Sequence, residues 1–266
     1  EKIWTILGPE FGQDSGKKAV VVRALYGLKS AGAAFRNHLA DCMDFLGYES
    51  CLADPDLWLK AETNPANNHK YYSYVLLYVD DVLCIHHDGE GTIKIIDKYF
   101  KMKDGSIGDP DLYLGAKLRK TRLPNAVEAW ATSPSKYVNE AVKNVESYLE
   151  KEYNGRKLKH KASAPFIPGY KPELDLSPEL DSTGHQYYQS LIGVLQWMVE
   201  IGRIDMITEV SMMASHVAMP REGHLDNLFH IFAYLKIKHN SRMVFDPSYP
   251  TIDMSSFKDC DWKHFY

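Results

Sequence analysis

The chain has 266 residues, of which 45% are apolar, 25% charged and 12% aromatic. About 120 side chains are thus available for burial, which excludes a disordered chain and suffices for one large core or two smaller ones. The net charge of -4 excludes a partner held by bulk positive charge and confines any nucleic-acid contact to a local patch.

Apolar runs such as 71–79 and 191–199 fall far short of the about 18 residues a bilayer crossing requires, so a soluble protein with no membrane partner is expected. Cys42, Cys51, Cys84 and Cys260 form no CxxC pair, and three of them sit inside apolar patterns. A zinc knuckle or disulfide framework is therefore not expected, and a reducing compartment is. The chain opens on Glu1-Lys2-Ile3-Trp4 with neither an initiator Met nor a signal-like run, as expected of a piece of a longer polypeptide.

In chain order, 18–25 reads as a short apolar strand, followed by turn chemistry at Tyr26-Gly27-Leu28-Lys29-Ser30. Phe35, Leu39, Cys42 or Met43, and Leu46 fall on one face of a helix that Gly47 stops. After the loop 64–68, the aromatic and branched run 71–79 predicts a strand, and 82–86 a second one. Only Asp80 and Asp81 lie between them, the length of a tight hairpin, so two adjacent carboxylates are predicted at its tip.

Ile93, Ile96 and Phe100 again have helical spacing, and 112–118 is predicted as one further strand. The order strand, helix, hairpin, helix, strand predicts an α+β fold with helices on one sheet face. Beyond Leu123, Ser133-Pro134 predicts an N-cap and first helical residue, with Tyr137, Ala141, Val145 and Tyr148 facing inward. Residues 155–183, with basic Arg156, Lys157, Lys159 and Lys161 and acidic Glu173, Asp175, Glu179 and Asp181, read as an exposed linker. Three helical patterns follow from His185 to Lys236, broken near Gly202 and at Pro220.

Two neighbouring carboxylates on a strand reversal repel each other, and a divalent cation with hard oxygen ligands relieves that cost. A DD pair is also an ordinary polar turn, and the dipeptide alone favours that plainer reading. Its flanks change the weighing. Tyr78-Val79-Asp80-Asp81 ends the string Tyr72-Ser73-Tyr74-Val75-Leu76-Leu77-Tyr78-Val79-Asp80-Asp81-Val82-Leu83, which resembles the catalytic hairpin of reverse transcriptases.

The copia-type LTR-retrotransposon polymerase is the specific resemblance. Its motifs are matched in order by Leu25-Tyr26-Gly27-Leu28-Lys29, Ala53-Asp54-Pro55-Asp56, Phe100-Lys101-Met102-Lys103-Asp104, Tyr113-Leu114-Gly115, Tyr188-Gln189-Ser190-Leu191-Ile192-Gly193, Arg203-Ile204-Asp205-Met206, His224 with Tyr234-Leu235-Lys236, and Asp259-Cys260-Asp261-Trp262.

The resemblance implies a right-hand polymerase: partial fingers and palm over 1–123, a thumb-like helix and linker over 124–183, a helical connection over 184–245, and the start of a ribonuclease H domain over 246–266. It implies Asp80 and Asp81 as catalytic metal ligands for Mg2+, with Mn2+ as a substitute. Tyr26, Gly27, Lys29, Phe35 and Tyr78 fall on the template and nucleotide side, and Asp259 on a ribonuclease H remnant.

Implied partners are an RNA or DNA template with primer, deoxynucleoside triphosphates and the remainder of a Pol polyprotein. The implied location is the element's cytoplasmic virus-like particle, or the nucleus. Gly32 and Ala33 replace the family's proline and arginine, and Ile204 replaces a proline. The family's third metal-binding aspartate precedes the segment matching Glu1, so the isolated chain is expected to polymerise poorly. A catalytically dead nucleic-acid-binding remnant is the alternative.

Bland readings hold elsewhere. His86 and His87 are expected on opposite strand faces, His216, His224 and His230 in core or surface, and the Met206, Met212, Met213 and Met219 cluster in core packing. The runs 94–122 and 136–171 each lean positive, eight basic against four acidic residues, and either could line a phosphate groove.

Overall fold

The structure is a computed structural model that describes residues 3–22, 27–28, 30–79 and 81–248. It divides into two units, Glu1–Leu114 and Gly115–Tyr266.

In the first unit, β1 (Ile3–Ile6) and β2 (Lys18–Val21) pair antiparallel, Ile3 opposite Val21. Helix α1 (Ala31–Phe45) buries Leu39, Cys42 and Met43 as one stripe, as their spacing requires. It ends where Gly47 takes a φ of +78°: the Gly47 and Tyr48 amides donate to the Asp44 and Met43 carbonyls, closing the last turn in a conformation that glycine adopts without a Cβ clash.

A four-stranded antiparallel sheet follows in the order β3 (Glu49–Ser50), β4 (Leu57–Thr63), β5 (Lys70–Tyr78), β6 (Asp81–Ile85). Alternation along β5 buries Ser73, Val75 and Leu77 on one face. With Trp58, that face packs on Leu39 and Met43 of α1 and on Ile96 of α2 (Gly89–Asp97). Both helices thus cover one side of the sheet, giving a mixed helix-and-sheet unit. Helix α2 starts earlier than its apolar spacing suggests, because the Asp88 carboxylate accepts from the Gly91 amide at 3.0 Å and caps it.

Two strand expectations are corrected. The hairpin register pairs Tyr78 with Asp81, so Asp81 opens β6 instead of lying between the two strands. The strand predicted over 112–118 is two: Leu114 and Gly115 take φ of +51° and +83° between β7 (Leu112–Tyr113) and β8 (Ala116–Arg122), a pair of positive φ values that belongs to a tight turn. The division of the chain falls there rather than at 123.

In the second unit β8, β9 (Glu128–Ser133) and β10 (Met243–Phe245) pair antiparallel. Helix α3 (Ser135–Glu152) is capped at Pro134 instead of Ser133, whose hydroxyl donates to the Ser241 carbonyl at 3.0 Å. Its stripe is rotated by one position, burying Val138, Ala141, Val142, Val145 and Leu149, with Tyr137 and Tyr148 at the margin.

Helices α4 (Ser182–Glu200), α5 (Ile207–Ala214) and α6 (Glu222–Ile237) break at Gly202 and Pro220 as read from the sequence, and share one core with α3. Met206 and Met213 are in that core, whereas Met212 and Met219 are exposed.

The expected linker 155–183 is corrected. Leu158 and Ala162 are buried in the helical core, the Asn227 side-chain oxygen accepts from the Ile167 amide at 3.2 Å, and His224 and His230 bond the Pro172 and Ala164 carbonyls. The segment is a strap, and the expected thumb and connection pieces share one apolar core. Among the described residues no helix is long and apolar enough to cross a membrane. The expected ribonuclease H start lies outside the described residues from 249 onward.

Candidate functional site

The hairpin is placed by β5, whose buried face anchors it, while Tyr78, 47% exposed, and Asp81 stand exposed at its end. A two-residue hairpin turn requires positive φ at its first central residue. Val79 occupies it at +55°. A β-branched side chain in the left-handed region costs about 1–3 kcal/mol, strain of the kind that clusters at functional sites.

The Asp54-Pro55-Asp56 turn lies at the same sheet end. The Asp56 amide donates to the Asp54 side chain at 3.0 Å, and the Asp56 carbonyl accepts from the Leu77 amide at 3.0 Å. Arg36 of α1 fixes the turn from outside through a 2.6 Å contact between its Nε and the Asp56 carboxylate.

Tyr113 completes the group. Burial, then the charges of Asp81 and Asp54 and the neighbouring Tyr78, push its hydroxyl up to about 12. It therefore stays protonated at neutral pH, within electrostatic reach of Asp81 and Asp54. Asp54, Arg36 and Tyr113 are not singled out by sequence reasoning. The Ala53–Asp56 and Tyr113–Gly115 strings are visible, but nothing in their spacing says that the strand pairing brings them to the hairpin.

Other expected site residues fall elsewhere. Phe35 of α1 packs edge-on against Phe100, the first residue of the matched 100–104 string, with ring centroids 5.8 Å apart. Gly27 is exposed at φ +94°. Tyr26, Lys29, Asp80 and Asp259 lie outside the described residues.

His86 and His87 are not on opposite strand faces, because β6 ends at Ile85; their rings lie 4.2 Å apart, and the Tyr71 hydroxyl bonds His87 Nδ1. His216 and His224 rings meet at 4.3 Å through tertiary packing, but both His224 nitrogens are engaged, with the Arg221 amide and the Pro172 carbonyl. No group of three or more potential metal ligands gathers among the described residues.

Against curated proteins, the chain is 24% identical over 243 residues to the retrovirus-related Pol polyprotein from transposon RE1 of Arabidopsis thaliana, covering 90% of this chain and 15% of that protein. It is 24% identical over 218 residues to the putative transposon Ty5-1 protein of Saccharomyces cerevisiae, covering 79% of this chain and 62% of that protein.

The chain is a relative of copia-type retrotransposon Pol polyproteins. The RE2 polyprotein of Arabidopsis thaliana matches at 21% identity over 243 residues, 90% of this chain and 15% of that protein. This Pol relative thus spans a small part of the two plant polyproteins. No family model matches it, and no solved structure does.

Proposed function

We propose that this Pol relative is the palm, part of the fingers, and the thumb and connection of a reverse transcriptase, performing template-directed nucleotidyl transfer. The observation that carries the reading is the β5–β6 hairpin: it sets Asp81 opposite Tyr78 at an exposed sheet end, where Asp54 and Tyr113 also gather. The YVDD string at that hairpin and the kinship to transposon Pol proteins support it.

The donor set fits a hard divalent cation, since carboxylate oxygens at an open strand end leave room for water and phosphate ligands. Asp80 and Asp81 would hold Mg2+, or Mn2+ in its place, which when bound stabilises charge developing on the nucleotide α-phosphate as the primer 3′-hydroxyl attacks.

The chain's own residues bind and orient. Tyr78 presents an exposed ring beside Asp81 for the primer end. Tyr26, Gly27, Lys29 and Phe35 shape the template and nucleotide side, where Phe35 is braced by Phe100. Arg36 and Asp56 hold the Asp54 turn at the sheet end. The partners are a primed RNA or DNA template, deoxynucleoside triphosphates and the rest of a Pol polyprotein, in a cytoplasmic virus-like particle or in the nucleus.

Primer extension on a primed RNA template with Mg2+ tests the reading, on the chain joined to the upstream coding segment expected to hold the third carboxylate. Incorporation is expected to fall at least about 100-fold in Asp80→Asn and in Asp81→Asn, the size of effect seen when a transition-state electrostatic partner is removed. Extension that survives Asp80→Asn overturns it.

A further inference from the structure

The strap 155–183 uses its charges unevenly. Its acids are mostly spent inside the second unit: Asp175 accepts from the Tyr170 and Ser177 hydroxyls at 2.6 and 2.5 Å, Glu179 pairs with Arg221 at 3.3 Å, and Asp181 caps α4 by accepting from the Gly184 amide at 2.7 Å. Arg156 is likewise committed, to Asp226 at 2.7 Å.

The lysines are not. Lys157, Lys159 and Lys161 are exposed, and none makes an ion pair with a described residue. They flank Leu158 and precede Ala162, which at 3% and 4% exposure pin this stretch to the core. Further along, the Ile167 amide and the Ala164 carbonyl are bonded to Asn227 and His230 of α6. Three ammonium groups are therefore displayed from a stretch that is already anchored, so a ligand meets a reduced ordering cost.

We propose that this stretch is a phosphate-backbone contact strip, along which a nucleic-acid strand lies against Lys157, Lys159 and Lys161. Charge complementarity carries it: a fixed positive strip in a chain of net charge -4 selects a partner with regularly repeated negative charge. The choice of nucleic acid over another polyanion rests on the polymerase reading; the strip itself does not. Lysines act here as point charges on phosphates, so the contact carries affinity and no base preference.

The test is fluorescence anisotropy of a labelled RNA–DNA hybrid duplex of about 20 base pairs with the full chain, between about 50 and 300 mM KCl. For the triple variant Lys157→Gln, Lys159→Gln, Lys161→Gln, the slope of log affinity on log salt is expected to shrink by about 2–3, roughly 0.9 for each phosphate that is no longer neutralised. A charge-matched triple on α3, Lys136→Gln, Lys143→Gln, Lys151→Gln, is expected to change it by less than about 1, and the strap triple with Arg at each position is expected to keep wild-type binding.

An unchanged slope in the strap triple, or an equal reduction in both Gln triples, overturns the proposal. Tighter binding to phosphatidylserine vesicles than to the duplex, dependent on the same three lysines, overturns the choice of partner. Because the assay has no catalytic readout, a chain that never extends a primer still binds if the strip is real, and an active polymerase can still fail here.

Discussion

The two units place their polar groups by opposite means. In the second unit a charge is buried: Arg203 has no exposed surface, its Nε and one terminal nitrogen each donate to the Asp205 carboxylate at 2.8 Å, and the Tyr234 hydroxyl donates to the same carboxylate at 2.9 Å. In the first unit the charges at the hairpin end stand in solvent, and what is held under tension is backbone, at Val79. The lesson is that a helical core can enclose and neutralise a charge for its own integrity, whereas a sheet end keeps carboxylates available and holds them through strand register.

The largest expected effect tests the buried side of that contrast. Arg203→Met takes the cation from Asp205, whose own side chain keeps 34% of its surface in solvent, and should cost about 1–3 kcal/mol in urea unfolding, whereas Arg203→Met combined with Asp205→Leu should recover part of it. A single variant as stable as the wild type would break the contrast. Burial alone would raise Asp205, but Arg203 and Tyr234 outweigh it and hold the carboxyl below its ordinary 3.8. A depressed folded-state value contributes stability that is present above 3.8 and lost as pH falls through the folded value. The gap between wild type and Arg203→Met should therefore narrow on acidification below that point.

A smaller effect tests the sheet end. Val79→Gly removes the Cβ clash at φ +55° and should raise thermal stability by up to about 1 kcal/mol, less than the full strain because glycine also frees the unfolded chain. A loss of stability would show that the tip residue does not adopt this conformation.

The smallest effect is chemical. Burial pushes the Cys84 thiol, on β6 behind the hairpin, up to about 11, so its alkylation by iodoacetamide should be slow at pH 7 and accelerate only toward that value. Rapid labelling of Cys84 at pH 7, read by peptide mass spectrometry, would mean that this strand is less buried than described.

Much of this is legible in the sequence, for identifiable reasons. The stripes Leu191, Leu195, Met198 and Leu225, Leu228, Phe232, Leu235 repeat at helical spacing between glycine and proline stops, and all are buried. The hairpin is legible in kind but shifted by one residue, because turn chemistry favours an Asp-Asp tip and no local signal announces a valine at positive φ. At the candidate site, Tyr78 and Asp81 stand out from the sequence alone, whereas Asp54, Arg36 and Tyr113 owe their place to strand pairing and helix packing over long chain separations. The strap misleads a sequence reading because its prolines and charges suggest exposure, while its anchors are two apolar residues, Leu158 and Ala162, set among lysines.

Among the described residues β6 lies at the border of its sheet. Its outer backbone amides and carbonyls are a template on which another copy's strand could add, and Asp81 is the single charge among Asp81, Val82, Leu83, Cys84 and Ile85. The carboxylate thus guards solubility at that edge. An Asp81→Asn preparation should be checked for self-association before any loss of extension is credited to the proposed reaction.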